Sequence, residues 1–332
     1  MEVFQWLREL RAGNYEPLRF LTAARMKICV IGCGAVGSLF AAHLAKAGEV
    51  EVWAYDVWRE HTEAIGKNGL RLSGAAEFTV RLNATSDPKE LPRCDYGIVA
   101  TKAIHTHSAI SQATHIFDEN SAVCSVQNGV GNEEIIAKHV KFVIRGTTFP
   151  AGHPIAPGHI GYDIKGDTWI GPFEPTHTPM EKVEELAGLM TRGGMNTIAL
   201  KDARGAQWTK LIFNASTNPV GALTLLHHGA ATRFGPTGQL FKDLIAEGEA
   251  VAKKLGIELH GDPRNLVQKG AAALGKHRAS MLQDVIARRQ TEVDFMNGAI
   301  VQSGEKVGVP TPLNRAMWEL IKGLEHSWKD PE

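Results

Sequence analysis

Lys210, Asn214 and Asn218 stand at i, i+4 and i+8 in the segment WTKLIFNASTNPVGALTLL. At about 100° per residue, a helix there keeps all three within roughly 80° of one another. One face of an otherwise apolar helix then carries a lysine and two amides. Asparagine is a poor helix former, so two of them aligned with a lysine cost stability without structural return. An ammonium with a pKa lowered by partial burial can stabilise negative charge that develops on a substrate oxygen and then protonate that oxygen. The amides can bind a carboxylate or a hydroxyl without adding a competing charge. The plain alternative is a solvated helix face.

A second constellation reads as a dinucleotide site. Gly32-Cys33-Gly34-Ala35-Val36-Gly37 matches G-x-G-x-x-G. The pattern is common by chance, but here it follows an apolar run (KICVI), opens a helical stretch (SLFAAHLAKAG) and precedes a second run that ends in Asp56, 19 residues past Gly37. Gly32 permits the tight turn, Gly34 lets backbone N–H groups reach a pyrophosphate, and Gly37 lets helix and strand approach. A glycine-rich turn with no ligand explains the turn and leaves the acid unexplained. The Asp56 carboxylate can accept from both adenosine ribose hydroxyls and would repel a 2′-phosphate, which favours NAD(H). Arg59, three residues on, keeps NADP(H) open, and Asp56 also fits a cap for the helix that starts near Trp58.

The elements that must position these residues follow from the periodicity. Short apolar runs at 27–31, 50–55, 96–100, 122–126 and 142–146 alternate with helical stretches at 35–47, 59–67 and 104–117. That alternation predicts βαβ units and a parallel, doubly wound sheet of Rossmann type. HIGYDIKGDTWIGPF (159–173) alternates apolar and polar residues around Gly166-Asp167 and predicts an appended hairpin, with one more helix and strand over 180–199. From residue 201 the strand-like runs give way to helical patterns at 201–226, 236–255, 263–274, 280–307 and 312–327. The expected fold is therefore α/β: a dinucleotide-binding domain over 26–200 and an all-helical substrate and catalytic domain over 201–332, with a cleft between them. Residues 1–25 read as an N-terminal extension, with Val3, Phe4, Leu7 and Leu10 at helical spacing.

Composition narrows the function classes. At 332 residues with 43% hydrophobic and 22% charged, the chain is long enough for two cores and unlike a disordered chain. Lys plus Arg (36) balances Asp plus Glu (36), so no global positive field attracts nucleic acid or an anionic membrane. No stretch reaches the roughly 18 apolar residues of a membrane span. The four cysteines have no zinc-type spacing, and the histidines, His105, His107 and His227 among them, form no metal pattern. The expectation is free thiols in a reducing cytoplasm and no metal.

Five ordered segments extend this reading. MKICVIGCGAVGSLFAAHLAKAG, TKA (101–103), QNGVGN (127–132), WTKLIFNASTNP (208–219) and SMLQDVIARRQTEVDFMNG (280–298) together resemble the ketopantoate reductase family, also called 2-dehydropantoate 2-reductase. The resemblance covers residues 26–328. It implies NAD(P)H-dependent reduction of a 2-oxo acid to a D-configured 2-hydroxy acid in the interdomain cleft, within pantothenate biosynthesis. Carried onto this chain, it makes Lys210 the general acid, Asn214, Asn218 and Ser280 substrate ligands, Glu292 a cleft carboxylate, and Lys102 and Asn128 cofactor contacts. From the residues alone, Glu292 on a charged helix fits a surface ion pair, Ser280 a helix cap, Lys102 a loop lysine and Asn128 a turn residue.

Three positions depart from the family pattern. Asp56 replaces the arginine that NADPH-dependent members carry at the end of the second strand. His228 and His277 stand where ketopantoate-reducing members commonly have Asn or another small polar residue, so both are expected at the pocket rim. A changed rim with the lysine retained also suits a D-2-hydroxyacid dehydrogenase of the same superfamily acting with NADH on mandelate-like or branched-chain 2-oxo acids. A dinucleotide-sensing regulator would keep the glycine loop and lose the Lys210/Glu292 pair. A dehydrogenase for 3-hydroxy acids or sugar phosphates shares the architecture but leaves SMLQD and TEVDFMNG unexplained. A homodimer is compatible with the sequence and not required by it.

Overall fold

The computed structural model describes residues 25–273 and 278–329. The amphipathic start of the chain and His277 lie outside these residues. In chain order the strands are β1 (Lys27–Ile31), β2 (Glu51–Tyr55), β3 (Leu70–Gly74), β4 (Phe78–Val80), β5 (Asn83–Thr85) and β6 (Tyr96–Val99). They continue as β7 (Ala122–Ser125), β8 (Phe142–Thr148), β9 (Ala151–Ala156), β10 (His159–Ile164), β11 (Thr168–Pro172) and β12 (Thr197–Ala199).

The main sheet has the order β12-β11-β8-β7-β6-β1-β2-β5, parallel except where β8 meets β11. Strand β1 is central because KICVI is apolar throughout and can be covered on both faces. Its neighbours are β2 on one side and β6 on the other, so the chain reverses its direction of travel across the sheet at β1. Ligands of open α/β sheets bind at the carboxyl end of such a switch point.

Helix α1 (Ala35–Ala47) packs between this sheet and a smaller one of order β4-β3-β10-β9. Leu39, Phe40, Ala41, Ala42 and Leu44 are buried in it, since a helix covered on two sides needs apolar residues around most of its circumference. The other face of the main sheet buries Cys29, Ile31, Val99, Ile110 and Val143. Helices α2 (Arg59–Asn68), α3 (Thr106–Ala113), α4 (Asn132–Ile136) and α5 (Met180–Gly193) complete the sheet region.

The expected hairpin is displaced. Strands β10 and β11 do not pair with each other: β10 joins the small sheet and β11 the main one, so Lys165–Asp167 is a crossing between sheets. The true hairpin is β9 with β10, turning at Pro157-Gly158, where Gly158 has φ +73°.

The helical region comprises α6 (Arg204–Thr224), α7 (His228–Arg233), α8 (Gly235–Lys254), α9 (Pro263–Ala273), α10 (Ser280–Ile286), α11 (Asn297–Val307) and α12 (Pro312–Ser327). Pro219 lies inside α6, where it has no N–H to give the carbonyl of Ala215 four residues back. The buried Asn297 supplies the replacement, its Nδ2 donating to Ala215 O at 2.9 Å.

The continuous helix expected over 280–307 is broken. After α10 the backbone takes φ +47° at Arg288, a 3₁₀ turn covers Val293–Phe295, and α11 begins at Asn297. The break is held by the Thr291 N–H and hydroxyl, which both donate to Glu325 Oε1 (2.8 and 2.7 Å). It turns Glu292 off a solvated helix face and into the protein.

Candidate active site

The carboxyl ends of β6, β7 and β8 meet α6, α10 and the segment 291–296. Lys210, in the second turn of α6, is half-buried; its Nζ donates to the carbonyl of Thr148 at the end of β8 and stands 5.3 Å from the centre of the Phe149 ring. Burial lowers the ammonium pKa to about 8, and the Glu292 carboxylate opposes that shift. Asn214 and Asn218 are buried further along α6. Asn218 meets the Met296 sulfur at 3.7 Å. Among the described residues the Asn214 amide has no hydrogen-bond partner, which leaves a donor and an acceptor for a ligand.

Glu292 is buried, and no ion pair joins it to Lys210 among the described residues. The pair interacts through the field instead. Glu292 Oε1 accepts from the Ala103 N–H at 2.8 Å. Burial raises its pKa, while the Ala103 bond, the nearby Lys102 charge and the neighbouring Asn128 amide pull it back. Lys102 itself reaches across to the buried Asp284, whose Oδ1 also lies 3.3 Å from Arg289. Lys102, Lys210 and Glu292 thus each make a contact that crosses between the sheet and the helices.

The nucleotide loop has the shape a dinucleotide requires. Gly32 has φ +86°, and a Cβ there would lie 2.4 Å from the Thr101 side chain; one on Gly37 would lie 2.0 Å from Gly32 O. Among the described residues a Cβ on Gly34 would meet nothing within 4 Å, which leaves room for a phosphate over the start of α1. Ala35 and Val36 form the first turn of α1. Cys33 contributes backbone only: its thiol points inward and burial pushes its pKa up to about 12.

Asp56 is not the expected helix cap, because the N-cap of α2 is Trp58 and carries no side-chain cap bond; its Oδ1 closes an Asx turn just before the helix, accepting from the Trp58 N–H at 2.8 Å, and the residue stays partly exposed. Arg59 turns away to Glu63, its Nε donating at 2.6 Å. Ser280 opens α10 and is exposed.

Among the described residues His228 makes no hydrogen bond to Lys210, Asn214 or Asn218, and its contacts are those of a core residue rather than of the expected pocket rim. Its ring is buried against Phe213 and Phe241, with centroids at 5.8 and 6.4 Å, and Nε2 donates to Val267 O at 3.0 Å. An imidazole can satisfy a core as well as line a pocket, and here the helical core takes it. His228→Asn is accordingly expected to destabilise the fold by about 1–3 kcal/mol while leaving the ranking of substrates by kcat/KM unchanged. Thermal unfolding and a substrate panel check this.

Several contributors carried little or no sequence signal. The Thr148 carbonyl has none, since any residue type offers a carbonyl. Asp284 lies within SMLQD but reads as one more charge in a charged run. Gln127 is buried and ties β7 to β6, its Nε2 donating to Thr101 O (3.0 Å) and Thr106 Oγ1 (2.7 Å). His61 supports the nucleotide loop: Gly158 N–H donates to Nδ1 (3.0 Å), so Nε2 carries the proton and donates to Ser38 Oγ (3.2 Å), which donates to Cys33 O (2.8 Å).

Residues 28–175 match the family model described as Ketopantoate reductase PanE/ApbA, and residues 202–325 match Ketopantoate reductase PanE/ApbA C terminal. The chain belongs to the ketopantoate reductase family. The 2-dehydropantoate 2-reductase of Archaeoglobus fulgidus is 32% identical over 303 residues, spanning 90% of this chain and 98% of its own. The solved ketopantoate reductase of Ralstonia eutropha JMP134 aligns with TM-score 0.82 at 29% identity, over 92% of this chain and 100% of that one. A structure of D-mandelate dehydrogenase with NADH and anilino(oxo)acetate aligns with TM-score 0.83 at 25% identity, again over 92% and 100%. In this ketopantoate reductase family member, the first matched region runs from β1 to β11 and the second begins just before α6, so Lys210 and the nucleotide loop lie on opposite sides of the boundary.

Proposed function

We propose that this chain reduces 2-dehydropantoate (ketopantoate) to D-pantoate, with Lys210 as the proton donor and NADH as the preferred cofactor. The observation that carries the reading is the half-buried Lys210 Nζ, held at the end of β8 with its pKa lowered to about 8 and with Asn214 and Asn218 on the same helix face. A bound nicotinamide supplies a hydride to the ketone carbon. The backbone of residues 32–37 holds the pyrophosphate, Asp56 the adenosine ribose, and Lys102 and Asn128 lie on the cofactor side. Lys210 directs its ammonium at the ketone oxygen, stabilises the charge that develops there and gives up a proton. Asn214, Asn218 and Ser280 orient the carboxylate and hydroxyl of the substrate. Glu292 keeps Lys210 charged more readily than burial alone would allow, since its carboxylate opposes the desolvation of the ammonium.

A second reading, a D-2-hydroxyacid dehydrogenase for another 2-oxo acid, is favoured by Asp56 and by the likeness to D-mandelate dehydrogenase with NADH. The deciding measurement is kcat/KM for 2-dehydropantoate, 2-oxoisovalerate and phenylglyoxylate with NADH and with NADPH. We expect 2-dehydropantoate to rank first. A site built to bond a hydroxyl rejects an analogue that lacks it by about 10⁴-fold or more, whereas an apolar pocket distinguishes a methylene by roughly 10- to 200-fold. No turnover of 2-dehydropantoate beside rapid turnover of phenylglyoxylate would establish the second reading.

A further inference from the structure

Gln207 lies three residues before Lys210 in α6 and is 3% exposed. Its Oε1 accepts from Arg145 Nη1 at 2.8 Å, and its Nε2 donates to Glu133 Oε1 at 2.7 Å and to Gly129 O at 3.3 Å. Arg145 belongs to β8 and Glu133 to α4, and both are more than nine-tenths buried. A carboxamide of this length offers an acceptor to a cation and a donor to an anion at once, while remaining neutral. One amide thus mediates between a buried guanidinium and a buried carboxylate that form no ion pair with each other among the described residues. Among the described residues Arg145 Nε and Glu133 Oε2 have no hydrogen-bond partner, so each group depends on the contacts it already makes.

The anchor points are placed where the site needs them. Strand β8 also carries Thr148, whose carbonyl holds the Lys210 ammonium. Gly129 precedes Val130, whose N–H donates at 3.0 Å to the carbonyl of Phe295, three residues past Glu292. Gln207 therefore ties α6 both to the strand that holds Lys210 and to the loop bonded to the segment that carries Glu292.

We infer that Gln207 is a positioning residue: by bridging Arg145 and Glu133 it sets the separation between the Lys210 ammonium and Glu292. The inference rests on Lys210 as the proton donor. Burial raises the Glu133 pKa to about 7, against the opposing pull of Arg145. The other groups around the pair are Glu134 on the same helix, Cys124 on β7, and Glu174 beside Arg145, with Asp202 and Arg204 beyond it.

The test uses Q207L, Q207E and K210A, with kcat at saturating cofactor and 2-oxo acid from pH 5.5 to 9, NADH affinity and thermal unfolding. Misplacing Lys210 by about 1 Å is expected to lower kcat of Q207L by 10- to 100-fold while NADH affinity stays unchanged. Q207E keeps the bond to Arg145 and meets Glu133 favourably only when one proton sits between the two carboxyls. Its kcat is therefore expected to approach wild type near pH 6 and to fall as pH rises through neutrality, over a range where wild type is flat. A general loss of structure would not recover in that way. If Q207L does not fold, the Q207E profile decides alone. A Q207E profile parallel to wild type overturns the positioning role. K210A with near-wild-type kcat overturns instead the reading on which it rests.

Discussion

Lys210→Ala is expected to lower kcat for 2-oxo acid reduction by roughly 10² to 10⁴, with little change in cofactor affinity. The size follows from losing a positioned proton donor that also stabilises the growing alkoxide. The cofactor loop lies on β1 and α1, apart from Lys210 on α6, so binding of NADH should be spared. The pH dependence supplies a sharper check. The ammonium is the form that donates, so kcat should be flat below the Lys210 pKa of about 8 and fall as pH rises through it. Lys210→Ala should lose that limb together with the rate. A loss below about tenfold, or an alkaline limb that survives the substitution, would show that water or another residue delivers the proton.

Asp56→Arg is expected to raise the ratio of NADPH to NADH use, in kcat/KM, by on the order of 10²-fold, because one change removes a repulsion and adds a partner for a 2′-phosphate. Wild type should favour NADH. The structure adds a complication and its control. Asp56 also closes an Asx turn at Trp58, so replacing it costs about 1 kcal/mol of local stability that has nothing to do with the cofactor. Asp56→Asn retains a side-chain acceptor for that turn and removes the charge, so any shift it shares with Asp56→Arg is electrostatic. Equal or better use of NADPH by wild type would defeat the argument. Arg59 would then be the residue to replace, since its exposed pair with Glu63 holds it only weakly.

The βαβ order was legible because buried parallel strands leave short apolar runs, here spaced by helical stretches in regular alternation. The glycine loop was legible because its constraint is steric: Gly32 and Gly37 sit where a side chain collides with backbone or with Thr101. The misplaced hairpin shows the limit of periodicity. Residues 159–164 and 168–172 alternate alike, and Pro157-Gly158 and Gly166-Asp167 are both credible turns, yet which strands pair is decided by α1, which separates the two sheets. Glu292 was legible as a residue and not as a position. Ala-Arg-Arg-Gln continues a helix in any local reading, and the break depends on Glu325, some 34 residues away. His228 and Asp284 failed in opposite directions for one reason: a polar side chain in a helix does not announce whether its partner is solvent, a carbonyl or a ligand.

Pro219 and Asn297 are linked in a way that bears on how this chain can diverge. Because the proline leaves Ala215 O without its intrahelical donor, the Asn297 amide is needed from 82 residues away in sequence. A descendant that exchanged Pro219 for alanine would regain the helical bond and make one Asn297 N–H surplus inside an apolar core. One that lost Asn297 first would expose a bare carbonyl there. Each single step is a small valley, and only the joint replacement returns to level ground. The two positions are therefore expected to covary among relatives, and the energy of the double mutant should fall well short of the sum of the singles.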